Sequence, residues 1–363
     1  MRKYFSVSSF LFFLFVLSFG SFQTSAQITN RAVLDADGNG RTDLHLVTHS
    51  GLNTYWCWRY IGGSLSQIGY INFGASPGIE YLLGADFENN STTEFTLYRT
   101  SSSFPNQSVF TAVGNFPFQQ APIAFGLNTD DPTVIGDYTG DSKADVAVFR
   151  CNPNDAVGTQ CYWIYRRSDI GLIYWIPWGT VYAAGKADIA APGDYDGDGK
   201  HDFAIRRPSN PADPNSPQVF YILRSSDGGA EYYTFGLASD KFVKGDFDGD
   251  GKTDLCAVRN TQNQGTQLQW FIRYSSNGGF ASYVPFGLGK SGAIGDYLAP
   301  GDYTGDGRTD IAIWRRTAIN EKTYFYILSS TPTQATFGNV LYEAVDACPF
   351  APCEYPVAQY LVH

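Results

Sequence analysis

The chain has 363 residues, of which 16% are aromatic, with 38 glycines and a formal net charge of −10 at pH 7. This acidic balance argues against nucleic acid and anionic membranes as partners, because both are negatively charged themselves. The abundance of aromatics and glycines favours many short strands joined by tight turns over a helical protein. The length allows two domains or one large all-β unit.

The first 26 residues have the features of a secretory signal peptide. Arg2 and Lys3 precede an apolar run of Phe and Leu, and the segment ends at the small residue Ala26. The run is too short for a membrane-spanning helix, and a buried N-terminal helix is the alternative. The sequence therefore predicts a signal peptide over 1–26 and an exported domain over 27–363 without a membrane span, destined for the medium, the periplasm or the cell surface.

Six cysteines in an exported chain favour disulfide bonds. Cys151 and Cys161 flank a polar segment that suggests a long hairpin loop closed by a bridge. Cys348 and Cys353 flank "PFAP" and form the second predicted pair. Cys57 and Cys256 lie within strand-like runs, so we interpret them as small buried apolar residues.

Two landmarks recur about every 50 residues, a period typical of propellers and solenoid arrays. One is an acidic turn, of which "GDYDGDGK" at 193–200 is the best copy. Its first aspartates are Asp35, Asp86, Asp137, Asp194, Asp246 and Asp302. The other is an aromatic-glycine pair at Phe73-Gly74, Phe125-Gly126, Trp178-Gly179, Phe235-Gly236, Phe286-Gly287 and Phe337-Gly338.

Each unit contains four runs that alternate apolar and polar residues, which is the pattern of β-strands. Four strands repeated radially form a β-propeller blade, so the sequence predicts an all-β propeller with six four-stranded blades. The tail 355–363 resembles the start of a further unit. We expect it to supply a strand that helps to close the ring, and seven blades with a composite last blade is the alternative.

The acidic turn has the composition of a calcium-binding loop. Carboxylates at positions 1, 3, 5 and 9 converge, position 7 adds its backbone carbonyl, and glycines at positions 4 and 6 permit left-handed backbone angles. An EF-hand is excluded because position 12, counted from Asp194, is Ile205 within a strand. Hard oxygen donors on every position favour several structural Ca²⁺ ions, which would also offset the repulsion between the carboxylates.

Five turns are predicted to bind calcium. The turns of Asp194 and Asp246 are complete, the first turn has an amide at position 5, and two turns have threonine at position 3. The turn of Asp86 is the most degenerate, because it has bulkier acids and no glycine. The candidate ligands are Asp35, Asp37, Asn39, Arg41 and Asp43; Asp137, Thr139, Asp141, Lys143 and Asp145; Asp194, Asp196, Asp198, Lys200 and Asp202; Asp246, Asp248, Asp250, Lys252 and Asp254; and Asp302, Thr304, Asp306, Arg308 and Asp310.

Units such as "APGDYDGDGKHDFAIRRP", closed by "FG", resemble the FG-GAP (VCBS-type) repeats of the integrin α-subunit N-terminal propeller and its bacterial secreted relatives. The similarity covers essentially all of residues 27–363. The resemblance implies a calcium-stabilised propeller on or outside cells, which works in adhesion or glycan binding or as an appendage of enzymes. It also implies that the calcium loops lie on the face opposite the ligand.

An arginine at position 14 of five units forms a second repeated feature. It could bind acidic ligands, or it could be structural, stacking on an aromatic side chain or pairing with acids such as Asp130 and Asp240. Less repetitive loops are better candidates for ligand specificity. These loops are 101–109, 151–161, 208–217 and 316–323. The position-14 arginines are Arg99, Arg150, Arg207, Arg259 and Arg315.

Catalytic motifs are absent from the sequence, since no G-x-S-x-G, H-E-x-x-H or Walker pattern occurs. His45 and His49 are four apart on one strand, where a metal pair or an ordinary polar strand face is expected, and His201 lies within an acidic turn. We therefore expect a monomeric module that binds extracellular carbohydrate or protein. A propeller-type glycan lyase or hydrolase and a structural envelope or matrix protein are the alternatives.

Overall fold

The computed structural model describes residues 34–50, 53–62, 68–75, 80–100, 106–113, 123–260, 266–277, 281–289, 295–316, 323–330, 340–345 and 355–356. The predicted signal peptide and the predicted Cys348–Cys353 pair lie outside these ranges. Within them, no helix has the length and apolar character needed to cross a membrane.

The described residues form six antiparallel sheets of four strands each, arranged as the blades of a β-propeller. The predicted all-β fold and the number of six blades are thus confirmed. Blades 1 to 3 contain β1 (Leu44–Ser50), β2 (Asn53–Arg59) and β3 (Ile68–Ala75); β4 (Glu80–Ala85), β5 (Glu94–Thr100), β6 (Gln107–Val113) and β7 (Ile123–Leu127); and β8 (Val146–Arg150), β9 (Gln160–Arg166), β10 (Ile173–Ala183) and β11 (Lys186–Ala187). Blades 4 to 6 contain β12 (Ile189–Ala190), β13 (Phe203–Pro208), β14 (Pro217–Leu223) and β15 (Ala230–Leu237); β16 (Lys241–Gly245), β17 (Asp254–Arg259), β18 (Gln267–Arg273) and β19 (Ala281–Leu288); and β20 (Asp296–Leu298), β21 (Ile311–Arg316), β22 (Thr323–Leu328) and β23 (Val340–Val345).

Blade 1 is completed by the C-terminal strand β24 (Tyr355–Pro356). This strand pairs antiparallel with β1, with Val47 opposite Tyr355 and Leu46 opposite Pro356. The fourth strand of the first blade therefore comes from the end of the chain, as predicted for the tail. The pairing covers a sheet edge that would otherwise expose unpaired backbone groups.

Blade 3 departs from the regular arrangement at both of its edges. On the inner side, only isolated bridges join Asp131 to Phe149 and Gly136 to Asp145. On the outer side, β11 pairs with β10 and becomes the fourth strand of the sheet. The four-strand count is thus kept, but through an extra outer strand rather than a continuous inner one.

The core repeats one cross-strand pair in every blade. A large aromatic side chain at the centre of each sheet lies opposite the residue at position 13 of the unit, and all twelve side chains are buried. In five blades this residue is apolar, whereas blade 4 has Arg206. The pairs are Val47–Trp56, Tyr98–Phe110, Phe149–Trp163, Arg206–Phe220, Val258–Trp270 and Trp314–Phe325.

The described cysteines behave as the sequence predicts. Cys151 and Cys161 form a disulfide bond, which closes the loop between β8 and β9. Cys57 and Cys256 are free and buried in the core.

Candidate metal-binding loops

In blades 2, 4, 5 and 6 the acidic turn joins the innermost strand to the next strand, and in blades 1 and 3 it directly precedes β1 and β8. In blade 5, the turn 246–254 leads from β16 to β17. Since neighbouring strands are antiparallel, all of these turns lie on one face of the propeller, here called the lower face. The connections between the second and third strands lie on the opposite, upper face.

The aspartate at position 1 folds the turn around its own carboxylate. In blade 4, Asp194 Oδ1 accepts a hydrogen bond from the Gly197 N–H at 2.6 Å, and Asp194 Oδ2 accepts one from the Gly199 N–H at 2.8 Å. Both glycines have positive φ, at 80° and 86°, as predicted from the motif. The same bonds are formed by Asp35, Asp137, Asp246 and Asp302.

The aspartate at position 9 ties the turn to its own blade. Asp254 Oδ2 accepts from the Phe247 N–H at 2.7 Å, and Asp254 Oδ1 accepts from the Ser275 N–H, in the turn after β18, at 2.7 Å. Both carboxylate oxygens thus order the backbone. Equivalent pairs of bonds are formed by Asp43, Asp145, Asp202 and Asp310.

Serine hydroxyls from the turn after the third strand reach the acids at positions 3 and 5. Ser226 Oγ donates to Asp196 at 2.5 Å, Ser275 Oγ donates to Asp250 at 2.6 Å, and Ser276 donates to Asp248. Sequence reasoning missed these residues. The signal was a serine, usually doubled, after the third strand in "YRRS", "LRSS", "RYSS" and "LSS".

Three turns bring together three carboxylates whose oxygens lie within 4.8 Å of one another. Among the described residues, these groups are Asp35, Asp37 and Asp43; Asp194, Asp196 and Asp202; and Asp246, Asp248 and Asp250. In blade 5, Asp248 Oδ1 is buried and has no hydrogen-bond partner. An unpaired buried carboxylate oxygen is costly, and a cation among oxygen donors would satisfy it. These clusters therefore fit a metal ion.

The other turns keep the backbone shape but assemble fewer carboxylates. With threonine at position 3, Thr139 and Thr304 direct their hydroxyls to carboxylates of their own turns, at 3.3 and 3.4 Å. The side chain at position 5 accepts a hydrogen bond from the backbone N–H at position 7. Asn39 accepts from the Arg41 N–H at 2.9 Å, and Asp141, Asp198 and Asp306 accept in the same way from the N–H groups of Lys143, Lys200 and Arg308. The degenerate turn forms the same wrap, because Asp86 accepts from the backbone N–H groups of residues 88, 90 and 91.

The buried position-9 carboxylates resist ionisation. Burial raises the pKa of Asp254 to about 8 and that of Asp43 to about 7, and repulsion from neighbouring carboxylates adds to the shift. The sequence argument named only this repulsion, but burial is the larger cause. Burial likewise raises the pKa to about 6 in Asp145, Asp194, Asp202 and Asp310, and raises it in Asp35, Asp137 and Asp302.

Neighbouring turns are joined in a ring by backbone hydrogen bonds. The N–H at position 8 of each turn donates to the carbonyl of the position-1 residue in the preceding turn. For example, the Thr253 N–H donates to the Asp194 carbonyl at 2.5 Å. The complete ring is Thr42 to Asp302, Thr93 to Asp35, Ala144 to Asp86, His201 to Asp137, Thr253 to Asp194 and Thr309 to Asp246.

The side chains at positions 7 and 8 also reach into the preceding blade. A methyl group placed on Gly193, before the acidic turn, would lie 2.6 Å from Thr253 Oγ1, so the position needs glycine. Lys252 lies over Gly197 of the preceding turn and Arg308 over Gly249, which brings positive charge to the acidic loops. These contacts could not be predicted from the sequence of a single unit, because they join residues about one repeat apart.

On the upper face, the structural interpretation of the repeated arginine is confirmed in four blades. Arg259 forms a bidentate pair with Asp240 at 2.8 and 2.8 Å and covers the Phe271 ring. Asp240 Oδ2 also accepts from the Leu237 N–H, directly after the Phe-Gly landmark. The pair therefore links the outer strand of blade 4 to blade 5. The equivalent pairs are Arg150–Asp130, Arg207–Asp188 and Arg315–Asp296.

The structure describes some of the remaining candidates from the sequence, namely two histidines and Arg99. His45 is buried, accepts from Trp56 Nε1 at 2.9 Å and donates through Nε2 to the Leu34 carbonyl at 2.8 Å, so it is a neutral core residue. Burial lowers the pKa of His45 and of His201 to about 3. Arg99 donates to the Phe73 carbonyl at 3.2 Å. The side chain of His49 and loop residues 101–105 and 317–322 lie outside the described part of the chain.

Six four-stranded blades with an acidic turn in each define a β-propeller whose lower face has candidate metal-binding loops. Residues 246–313 match the family model described as an FG-GAP-like repeat. This match and the six-bladed fold together support an FG-GAP repeat propeller protein, in agreement with the resemblance noted above. None of the curated proteins matches the sequence.

Proposed function

We propose that this protein is an exported binding module whose lower face is stabilised by calcium and whose upper face recognises an extracellular carbohydrate or protein. The observation that carries the proposal is the difference between the two faces. The lower face repeats one acidic turn, whereas two loops of the upper face break the repeat and are held in shape by their own bonds.

Calcium is the metal that suits the donors of the lower face. Carboxylates, an amide oxygen and backbone carbonyls are hard ligands, and Ca²⁺ takes about six to eight of them in flexible geometry. Positions 1, 3, 5 and 9 would hold the ion, together with the carbonyl at position 7. Bound calcium would supply charge compensation between the first two strands of a blade and would leave substrate chemistry to other residues.

Two upper-face loops support the binding role. The loop 151–161 is closed by the Cys151–Cys161 disulfide. The loop 208–217 is ordered by the Ser209 N–H donating to the Pro217 carbonyl at 2.8 Å and by Ser216 Oγ donating to the Asn210 carbonyl at 2.9 Å. Pre-ordered, non-repeating loops are suited to recognition, because little conformational entropy is lost on binding.

The test is to incubate the protein in calcium with a panel of polysaccharides and extracellular proteins. Bound material and newly formed reducing or unsaturated ends are measured together. Retention of a ligand without product is the expected result. Product formation would replace the proposal with an enzymatic function, and neither retention nor product would favour a structural role.

The matched controls separate the two faces. A variant with Cys151→Ser and Cys161→Ser frees the upper loop and should lose ligand without losing calcium. Asp248→Asn in the lower face should weaken calcium binding and leave ligand retention in excess calcium unchanged.

A further inference from the structure

One buried cation breaks the repeat at the junction of blades 4 and 5. Arg206 occupies position 13, where the other five blades have a valine or an aromatic residue. Its side chain lies opposite Phe220 of β14 and Ile189 of β12. The propeller fold does not need an arginine here, since apolar residues fill the same position in the other blades.

The guanidinium of Arg206 is unusually poor in partners. The residue is only 7% exposed, and its Nε is buried with no hydrogen-bond partner. Among the described residues, no hydrogen bond or ion pair to this side chain is formed. An arginine carries five N–H donors, so an isolated one in the interior is costly.

The nearest acidic group does not compensate this charge. Asp240 attracts Arg206 through space, but its carboxylate oxygens accept hydrogen bonds from Arg259 at 2.8 Å and from the Leu237 N–H at 2.8 Å. The other ionisable neighbour is Tyr182, whose pKa is raised, chiefly by burial. Burial lowers the pKa of Arg206 to about 10, because the attraction of Asp240 and Tyr182 does not offset the loss of solvent around the guanidinium.

The innermost strand is partly exposed to solvent beside Arg206. Ile189, directly opposite Arg206 on the innermost strand, is 40% exposed. Arg206 lies near the upper end of β13, next to the 208–217 loop. An aromatic and an apolar side chain beside an unpaired guanidinium form a site that suits a planar anion attached to a small organic ring or chain.

We propose that Arg206, with Ile189 directly opposite it, binds the carboxylate of a ligand on the upper face between blades 4 and 5. The ligand carboxylate accepts hydrogen bonds from the guanidinium in place of the missing acidic partner. The inference deepens the proposed binding function and rests on it, because it names the chemical group that the upper face recognises.

The test uses small carboxylates and two variants of the full chain. Binding of sodium glucuronate, sodium acetate and, as a neutral control, glucose is measured by calorimetry in calcium at constant ionic strength. Arg206→Met replaces the charge with an apolar side chain, as in the other blades. Arg315→Met is the matched control, since it removes an equivalent arginine that is already paired, with Asp296.

We expect glucuronate and acetate to bind the wild type and glucose not to bind. Arg206→Met should weaken carboxylate binding about tenfold or more, whereas Arg315→Met should leave it within a few-fold. In the absence of carboxylate, Arg206→Met should melt at the same temperature as the wild type or higher, and Arg315→Met at a lower one. Tighter binding of glucuronate than of acetate would support a sugar acid as the ligand, and equal binding would support the carboxylate alone.

The proposal is overturned if neither carboxylate binds, if both bind Arg206→Met as tightly as the wild type, or if Arg206→Met melts at a lower temperature in every condition. Its failure is distinguishable from that of the binding function. A negative result with small carboxylates leaves retention on the polysaccharide and protein panel unaffected, and a negative panel leaves the calorimetry unaffected.

Discussion

The aspartate at position 1 of each acidic turn stabilises the backbone of its own turn. In five of the six turns its two oxygens accept hydrogen bonds from the N–H groups at positions 4 and 6, so the turn has its shape from hydrogen bonds alone. This geometry requires positive φ at positions 4 and 6, which glycine supplies without a steric penalty. Ser142 is an exception, because it has a φ of 65° at a position where four other turns have glycine.

The change Ser142→Gly should therefore stabilise the protein. We expect the free energy of unfolding to rise by about 1 kcal/mol, since a non-glycine residue in this region is strained. Urea denaturation at fixed calcium measures the change. The reverse substitution at the equivalent position of blade 4, Gly199→Ser, is the matched control and should lower the free energy of unfolding by a similar amount. An unchanged or lower midpoint for Ser142→Gly would contradict the strain at this residue.

Among the elements, the connection from the outer strand of one blade to the inner strand of the next contains a charged contact between blades. In blade 6, the side chain of Asp296 is fully buried and pairs with Arg315 at 2.6 and 2.7 Å. Asp296 also accepts from the Leu288 N–H of blade 5 at 2.5 Å. One carboxylate thus holds two blades together.

Replacing this carboxylate, in Asp296→Asn, should lower the free energy of unfolding by about 2–3 kcal/mol, because the buried pair loses its negative charge and one of its two acceptor oxygens while Arg315 stays in place. Chemical denaturation measures the loss. Asp169→Asn provides the comparison, since Asp169 forms the same bidentate pair with Arg167 where both side chains are about one-third exposed. That change should cost clearly less, because both side chains of this pair are accessible to solvent. Equal losses in the two variants would show that the connection between blades contributes no more than a surface ion pair.

The sequence predicts the elements well and the contacts between them poorly. The alternation of apolar residues and the two landmarks predicted the six blades, the acidic turns and the closing strand at 355–356. The role of Thr253 against Gly193 and the isolation of Arg206 were not predictable, because both depend on residues of a neighbouring blade. Repetition indicates what each unit must contain, whereas packing between units appears only once they are placed in a ring.

At the scale of the whole molecule, the lower face is one connected system. Backbone hydrogen bonds join the six acidic turns in a closed ring, and each turn has at least one carboxylate whose pKa is raised by burial. In unfolded chains an aspartate ionises near pH 3.8, but in the folded protein Asp43 and Asp254 have a pKa of about 7 and about 8. Without a cation, the folded state therefore binds more protons than the unfolded state between these values.

The stability of the calcium-free protein should fall as the pH rises from about 4 to about 8, because the folded carboxylates lose their protons at higher pH than the unfolded ones. Calcium requires ionised ligands, so the increase in melting temperature on calcium addition should be larger at about pH 8 than at about pH 5. Scanning calorimetry with calcium or with EDTA at matched ionic strength measures both effects. A melting temperature that is unchanged by calcium at either pH would contradict a structural metal on the lower face.

The pairing of β24 with β1 also has a consequence for biosynthesis. The ribosome produces β1 to β3 first, but their sheet lacks its fourth strand until residues 355–356 have been made. The earliest blade is therefore the last to be completed, and its open edge stays available to other chains throughout synthesis. A nascent chain of this design benefits from folding late, after the five following blades have been synthesised.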